Sequence, residues 1–213
     1  CGDGRLSSRE NCDDGNTAGL DGCDALCRVE TGYACTSSNP YGSGLGGRTA
    51  CVPICGDGLR VGNEECDDGG AASGDGCSAQ CSVESGWACA DGSVRSSDTC
   101  TTVCGDGRRA GSESCDDGNR VDYDGCGIDC EVEPGYACTS GDESSVDVCT
   151  PCHVSCATCG GLASTECTSC AVTSPFRFNW TAGAGECVAD CSPLGGWGDD
   201  GAQPNVCAPC APS

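Results

Sequence analysis

The sequence predicts a linear array of small disulfide-rich modules made of short β-hairpins and turns, with little helix. Three observations carry this expectation. Cysteine fills 27 of 213 positions, above the roughly 8–10% that marks a disulfide scaffold in a secreted chain. One cysteine frame is written three times. Apolar matter is scarce, with three Trp, four Tyr, two Phe and no Met against 35 Gly. A single core of this length could not be filled, so several modules closed by covalent bridges are expected. Each bridge contributes about 2–4 kcal/mol, chiefly by restricting the unfolded chain.

Four modules follow in order, at 1–53, 54–102, 103–150 and 151–213. The first three open on Cys1, Cys55 and Cys104. Eleven positions later stand Cys12, Cys66 and Cys115, and eleven further Cys23, Cys77 and Cys126. Cys27, Cys81 and Cys130 follow at four, and Cys35, Cys89 and Cys138 at eight. Only the closing interval varies: sixteen to Cys51, eleven to Cys100 and Cys149. The longer first copy holds a Gly/Ser-rich stretch that reads as a surface loop. Three-residue joints (VPI, TTV) suggest a stiff rod of stacked modules. Gly-Asp and Asp-Gly pairs read as turns. The stretches RVETGYAC, SVESGWAC and EVEPGYAC read as strands, with Tyr33, Trp87 and Tyr136 packing on a disulfide. Spacing leaves the pairing within each repeat open, since six cysteines allow fifteen connectivities.

Composition also bounds the partners. The net charge of −23 argues against nucleic acid and anionic membrane surfaces. No run is apolar enough to span a membrane. With a single histidine, metal ligation by so many cysteines would be almost wholly thiolate, so disulfides in an oxidising, extracytoplasmic space are the reading. All ten basic residues are Arg.

The motifs CGDG, ExCDDGN, GDGC and ExGYxC, at their joint spacing, resemble the myxococcal-type cysteine-rich repeat, a domain of unknown function in secreted and surface proteins. Gly70 departs from it where the other copies have Asn16 and Asn119. A looser likeness to Lin-12/Notch-type modules exists. Residues 152–210, through CHVSCATCGG, CTSC and CVADC, are similar to a furin-like repeat. That resemblance implies the pairs Cys152–Cys159, Cys156–Cys167, Cys170–Cys187 and Cys191–Cys207. Cys210 would then open a further repeat, and the chain reads as a length taken from a longer secreted precursor; an interchain bridge at Cys210 is the rival.

Six carboxylates recur in every copy: Asp3, Glu10, Asp13, Asp14, Asp21 and Glu30, with their counterparts in repeats 2 and 3. One Ca²⁺ per module is one expectation. It would use Asp13, Asp14, Asn16 and Asp21; Asp67, Asp68 and Asp75; and Asp116, Asp117, Asn119 and Asp124, since Ca²⁺ takes six to eight oxygens in flexible geometry. The spacing fails the EF-hand loop. The alternative is that these side chains cap turns by bonding nearby backbone amides.

Other devices are thin. Cys156/Cys159 and Cys167/Cys170 have zinc-knuckle spacing, but the stretch between them is short for a zinc ribbon. His153 is the sole histidine, in a tight cysteine loop, and no catalytic motif accompanies it. Asn179-Trp180-Thr181 is a glycosylation sequon. The expectation is a non-enzymatic extracellular structural segment: a rigid spacer or building block of a cell-surface protein or fibre, such as a mastigoneme-like appendage. Its partners would be other extracellular or cell-surface proteins, copies of itself, and attached glycans. A receptor-like ectodomain and an accessory module of a secreted hydrolase are the alternatives.

Overall fold

The computed structural model describes residues 1–37, 46–139, 141–171, 176–181, 184–188, 197–199 and 207–209, the segment 176–181 and the last two by backbone alone. No helix occurs among them. Two compact units divide the chain: Cys1–Val103 holds repeats 1 and 2, and Cys104–Ser213 holds repeat 3 and the final module.

Every repeat ends in a two-stranded antiparallel hairpin. In repeat 1, β1 (Tyr33–Ser37) pairs with β2 (Thr49–Pro53). In repeat 2, β3 (Trp87–Ala90) pairs with β4 (Thr99–Thr102), and in repeat 3, β5 (Tyr136–Thr139) pairs with β6 (Val148–Pro151). The fifth and sixth cysteines face each other in register and are bridged: Cys35–Cys51, Cys89–Cys100 and Cys138–Cys149. The other four pair first to fourth and second to third, as Cys1–Cys27 with Cys12–Cys23, Cys55–Cys81 with Cys66–Cys77, and Cys104–Cys130 with Cys115–Cys126. A hairpin this short is marginal in water; the cross-strand bridge holds it.

The strands begin later than RVETGYAC suggests. Val29 makes a single bridge to Cys23, and then the chain turns, with the Tyr33 N–H donating to the Glu30 carbonyl at 3.3 Å. Strand geometry resumes only at the aromatic residue. The aromatic ring and the sixth cysteine meet on the glycine of the Asp-Gly-Cys triplet. A Cβ on Gly22 would overlap the Cβ of Cys51 and stand 3.1 Å from the Tyr33 ring; Gly76 and Gly125 repeat this against Cys100 with Trp87 and Cys149 with Tyr136. The second and third cysteines are fully buried in all three copies, so sulfur forms most of the core.

The chain leaving each hairpin is tied back to its own repeat. After each hairpin the chain donates back to the glycine before the aromatic: Ile54 N–H to the Gly32 carbonyl (2.8 Å), Val103 to Gly86 (2.9 Å) and Cys152 to Gly135 (2.7 Å). Between repeats 1 and 2, buried Val61 sits over Gly32, and Gly62 lies under Pro53 and the Tyr33 hydroxyl. Burying a valine contributes about 1.5–3 kcal/mol.

The final module opens on β7 (Cys156–Cys159) and β8 (Cys167–Cys170), followed by β9 (Phe176–Thr181) and β10 (Ala184–Val188). They form a four-stranded sheet in the order β7-β8-β10-β9. A separate hairpin joins β11 (Trp197–Asp199) to β12 (Cys207–Pro209). Bridges join Cys152–Cys159, Cys156–Cys167 and Cys170–Cys187, the partners that the furin-like resemblance implies. They consume the four cysteines of the zinc-knuckle spacing. Cys191, Cys210 and the side chains of Cys207 and Asn179 lie outside the described residues; the Asn179 backbone is in β9.

Candidate functional site, a buried carboxylate in each repeat

At the centre of each repeat the first Asp after the second cysteine is fully buried: Asp13, Asp67 and Asp116. An ionised carboxylate in that position must find donors or lose its charge. It finds them in the backbone. The CGDG loop on one side and the Asp-Asp-Gly turn on the other wrap their amides around it. Asp67 Oδ1 accepts from Gly58 and Gly69, both at 2.9 Å, and Oδ2 from Gly56 at 2.9 Å and Asp57 at 3.2 Å. Asp116 repeats the set with Gly105, Asp106, Gly107 and Gly118. Asp13 accepts from Asp3, Gly4 and Gly15. Burial pushes the Asp13 carboxyl up, but the amides of Gly4, Gly15 and Asp3 outweigh it and leave the group below its ordinary value.

The remaining recurrent acids close other turns. Glu30 takes the amides of Leu20, Asp21 and Gly22; Glu84 takes Gly74 and Gly76; Glu133 takes Tyr123 and Gly125. Glu10, Glu64 and Glu113 cap the amides of Ser7, Val61 and Ala110. Asp14, Asp68 and Asp117 each accept from the amide two residues on. Asn16 and Asn119 donate their side-chain amides to Asp21 and Asp124, at 2.8 and 3.1 Å, while their carbonyl oxygens accept from Ala18 and Val121. The structure therefore brings Asp14, Asn16 and Asp21 together, and Asp117, Asn119 and Asp124 likewise. It sets Asp13, Asp67 and Asp116 apart from them, with both oxygens engaged by amides. In repeat 2, Asp68 and Asp75 converge on Gly70, their oxygens 3.3 and 3.4 Å from where a Cβ would lie. These contacts are those of turn caps.

Two buried acids were not legible as such. Asp98 and Asp147 stand two residues before the closing cysteine, within the loop whose length varies. Asp98 Oδ2 accepts the Asp67 N–H at 2.9 Å, and Oδ1 accepts Gly92 and pairs with Arg60 at 3.0 Å. Asp147 does the same for Asp116 and Gly141 and lies 3.6 Å from Arg109. Repeat 1 has Thr49 in this place, its hydroxyl oxygen accepting the Asp13 N–H at 2.9 Å, and Leu6 where the other copies have arginine. The paired change Arg/Asp to Leu/Thr inside one chain was the available signal.

Glu64 and Glu113 each carry one poorly satisfied oxygen. Glu64 Oε1 is 3.3 Å from Cys81 Sγ, a bridged sulfur with no proton to give. The matching Glu113 Oε1 is buried and has no partner. Burial, with the charges of Asp67 and Asp57, raises the Glu64 carboxyl above its ordinary value against the lowering amide of Val61. The Glu, Asp and Cys of this corner lie within ligand distance of one another in all three repeats. Each such cysteine is bridged and so is lost as a thiolate ligand.

His153 caps a turn: Nδ1 accepts from the Ser155 amide (3.3 Å) and lies 2.8 Å from its hydroxyl, while the His153 carbonyl receives the Cys156 N–H.

Residues 48–82 and 84–131 match the sequence profile of a family described as Domain of unknown function (DUF4215). The two matches take in the cysteine frame of repeat 2 and most of that of repeat 3. No curated protein matches the chain, and no solved structure does.

Proposed function

We propose that this chain is a non-enzymatic extracellular structural segment, a disulfide-stapled spacer or building block of a cell-surface protein or fibre. The observation that carries the reading is the use of the acidic residues. The six recurrent carboxylates of each repeat are spent largely on backbone amides, in much the same way in the three copies. Twelve bridges among the described residues suit an oxidising compartment. The clamped joint between repeats 1 and 2 suits a spacer that resists bending there. The furin-like resemblance from residue 152 onward, with its bridge partners, suits an ectodomain; a mastigoneme-like appendage is the specific fibre version.

The test is immunogold labelling of intact, unpermeabilised cells with antibody raised against the folded chain. Gold on the surface or along filaments is the expected result. Labelling that requires permeabilisation would sink the extracellular role.

A further inference from the structure

Repeats 2 and 3 each hold a carboxylate oxygen that caps nothing. Glu64 and Glu113 use Oε2 on the amides of Val61 and Ala110, at 2.8 and 2.9 Å. Their Oε1 atoms are left over, one 3.3 Å from Cys81 Sγ and the other buried without a partner. A second carboxylate stands close by. One oxygen each of Glu64 and Asp67 and the sulfur of Cys81 lie within 4.8 Å of one another, and Glu113, Asp116 and Cys130 repeat the group. Cys81 and Cys130 are 4% and 1% exposed, whereas their bridge partners Cys55 and Cys104 are partly exposed. These bridges close the longest loop of each repeat, a separation of 26 residues.

Burial decides which sulfur a reductant attacks. A dithiol's thiolate reaches Cys55 rather than Cys81, so a new S–S bond forms at Cys55 as the Cys55–Cys81 bond breaks and its electron pair leaves on Cys81 Sγ. That thiolate appears beside two carboxylates, in a buried position where like charges repel more strongly than in water. The repulsion raises the pKa of the departing thiol, and a poorer leaving group slows the exchange. We propose that the Glu–Asp corner shields the first-to-fourth bridge of repeats 2 and 3 against thiol reductants. The dithiol's second sulfur would complete the reaction, releasing Cys55 and leaving the reductant as a disulfide, with water supplying the protons; the corner acts on the first step. This goes beyond the spacer reading and does not depend on it.

The test exposes the whole oxidised chain to dithiothreitol at about pH 8 and follows each bridge by differential alkylation and peptide mass spectrometry. Glu64→Gln removes the charge and keeps an oxygen for the Val61 amide. It should open Cys55–Cys81 about tenfold faster, with Cys66–Cys77 and Cys89–Cys100 at their wild-type rates. Glu113→Gln should do the same for Cys104–Cys130. Glu65→Gln takes the same charge from the exposed neighbour and should change no bridge by more than about twofold, since distant charges are screened. An unchanged Cys55–Cys81 rate in Glu64→Gln would overturn the proposal. A rise shared by all three bridges of repeat 2 would overturn it too, because opening of the repeat would then set the rate. So would an equal rise in Glu65→Gln, because net charge alone would then govern the reductant's approach.

Discussion

Asp67 and Asp98 hold each other by a reciprocal pair of bonds: the Asp67 N–H donates to Asp98 Oδ2 at 2.9 Å, and the Asp98 N–H returns a bond to the Asp67 carbonyl. The residue that gathers the CGDG loop is thereby tied to the hairpin loop, joining the two halves of the repeat where no apolar core does so. Asp116 and Asp147 are linked in the same way.

Removing the central carboxylate should therefore be severe. Asp67→Ala leaves four part-buried amides without their acceptor. Each unsatisfied group costs about 1–3 kcal/mol, so a loss of more than about 3 kcal/mol is expected even after partial relaxation. Denaturant unfolding of the oxidised chain measures it; a loss under about 1 kcal/mol would contradict the picture.

The Arg60–Asp98 pair should behave as a unit. Arg60→Leu alone strands a buried carboxylate and should cost about 2 kcal/mol, less than a fully buried pair because the arginine is partly exposed. Adding Asp98→Thr recreates the Leu6/Thr49 combination of repeat 1 and should recover most of that loss. A double-mutant cycle with additive effects would refute the coupling.

Acid and base should act on different groups with opposite sign. The Glu64 carboxyl is raised in the fold, first by burial and then by Asp67 and Asp57. Its contribution is thus fully present below the unfolded value near 4.5 and fades as pH rises through the higher folded value. Glu64→Gln should stabilise the chain at neutral pH and flatten that part of the stability profile. Asp142 is held down to about 2 by the Ser144 amide and hydroxyl and then the Ser145 hydroxyl. Its contribution is present above the unfolded value near 3.8 and disappears as pH falls toward 2. NMR titration of the two carboxyls reads both midpoints, and an ordinary value at Glu64 would remove the first expectation.

Calcium provides a further check. With Asp13, Asp67 and Asp116 saturated by amides, a chelator should move Tm by less than about 1 °C, and millimolar Ca²⁺ should give no heat of binding. Binding would stabilise the fold by mass action, so a rise of several degrees would return Asp14, Asp21, Asp68 and Asp75 to the role of ligands.

Much of this molecule is written plainly in its cysteines. Their spacing marks the three repeats and the change of frame at Cys152, because a bridge fixes geometry that many intervening sequences can satisfy. Pairing within the three repeats was beyond reach, as nothing in an interval of eleven says that Cys12 meets Cys23 rather than Cys1. The recurrent carboxylates announced their importance but not their use, since an Asp that caps a turn and an Asp that binds a cation recur with equal fidelity. Asp98 and Asp147 were hidden by their setting in a loop of variable length, where the eye expects surface. The strand starts at Tyr33, Trp87 and Tyr136 were misplaced by a few residues because Val29 and its counterparts look like strand and make only one bridge each.

The bridge order has a mechanical meaning. Tension entering repeat 1 at Cys1 crosses directly to Cys27, and tension reaching Cys35 crosses directly to Cys51. Only the eight residues from Cys27 to Cys35 and the four from Cys51 to Cys55 lie in the load path. At about 3.3–3.6 Å per residue, a fully unravelled but oxidised repeat reaches only about 50 Å, against roughly 180 Å for the same chain reduced. The covalent frame is thus a stop on extension: stretched until every hydrogen bond fails, the repeat still gives little length, and only a reductant releases the rest.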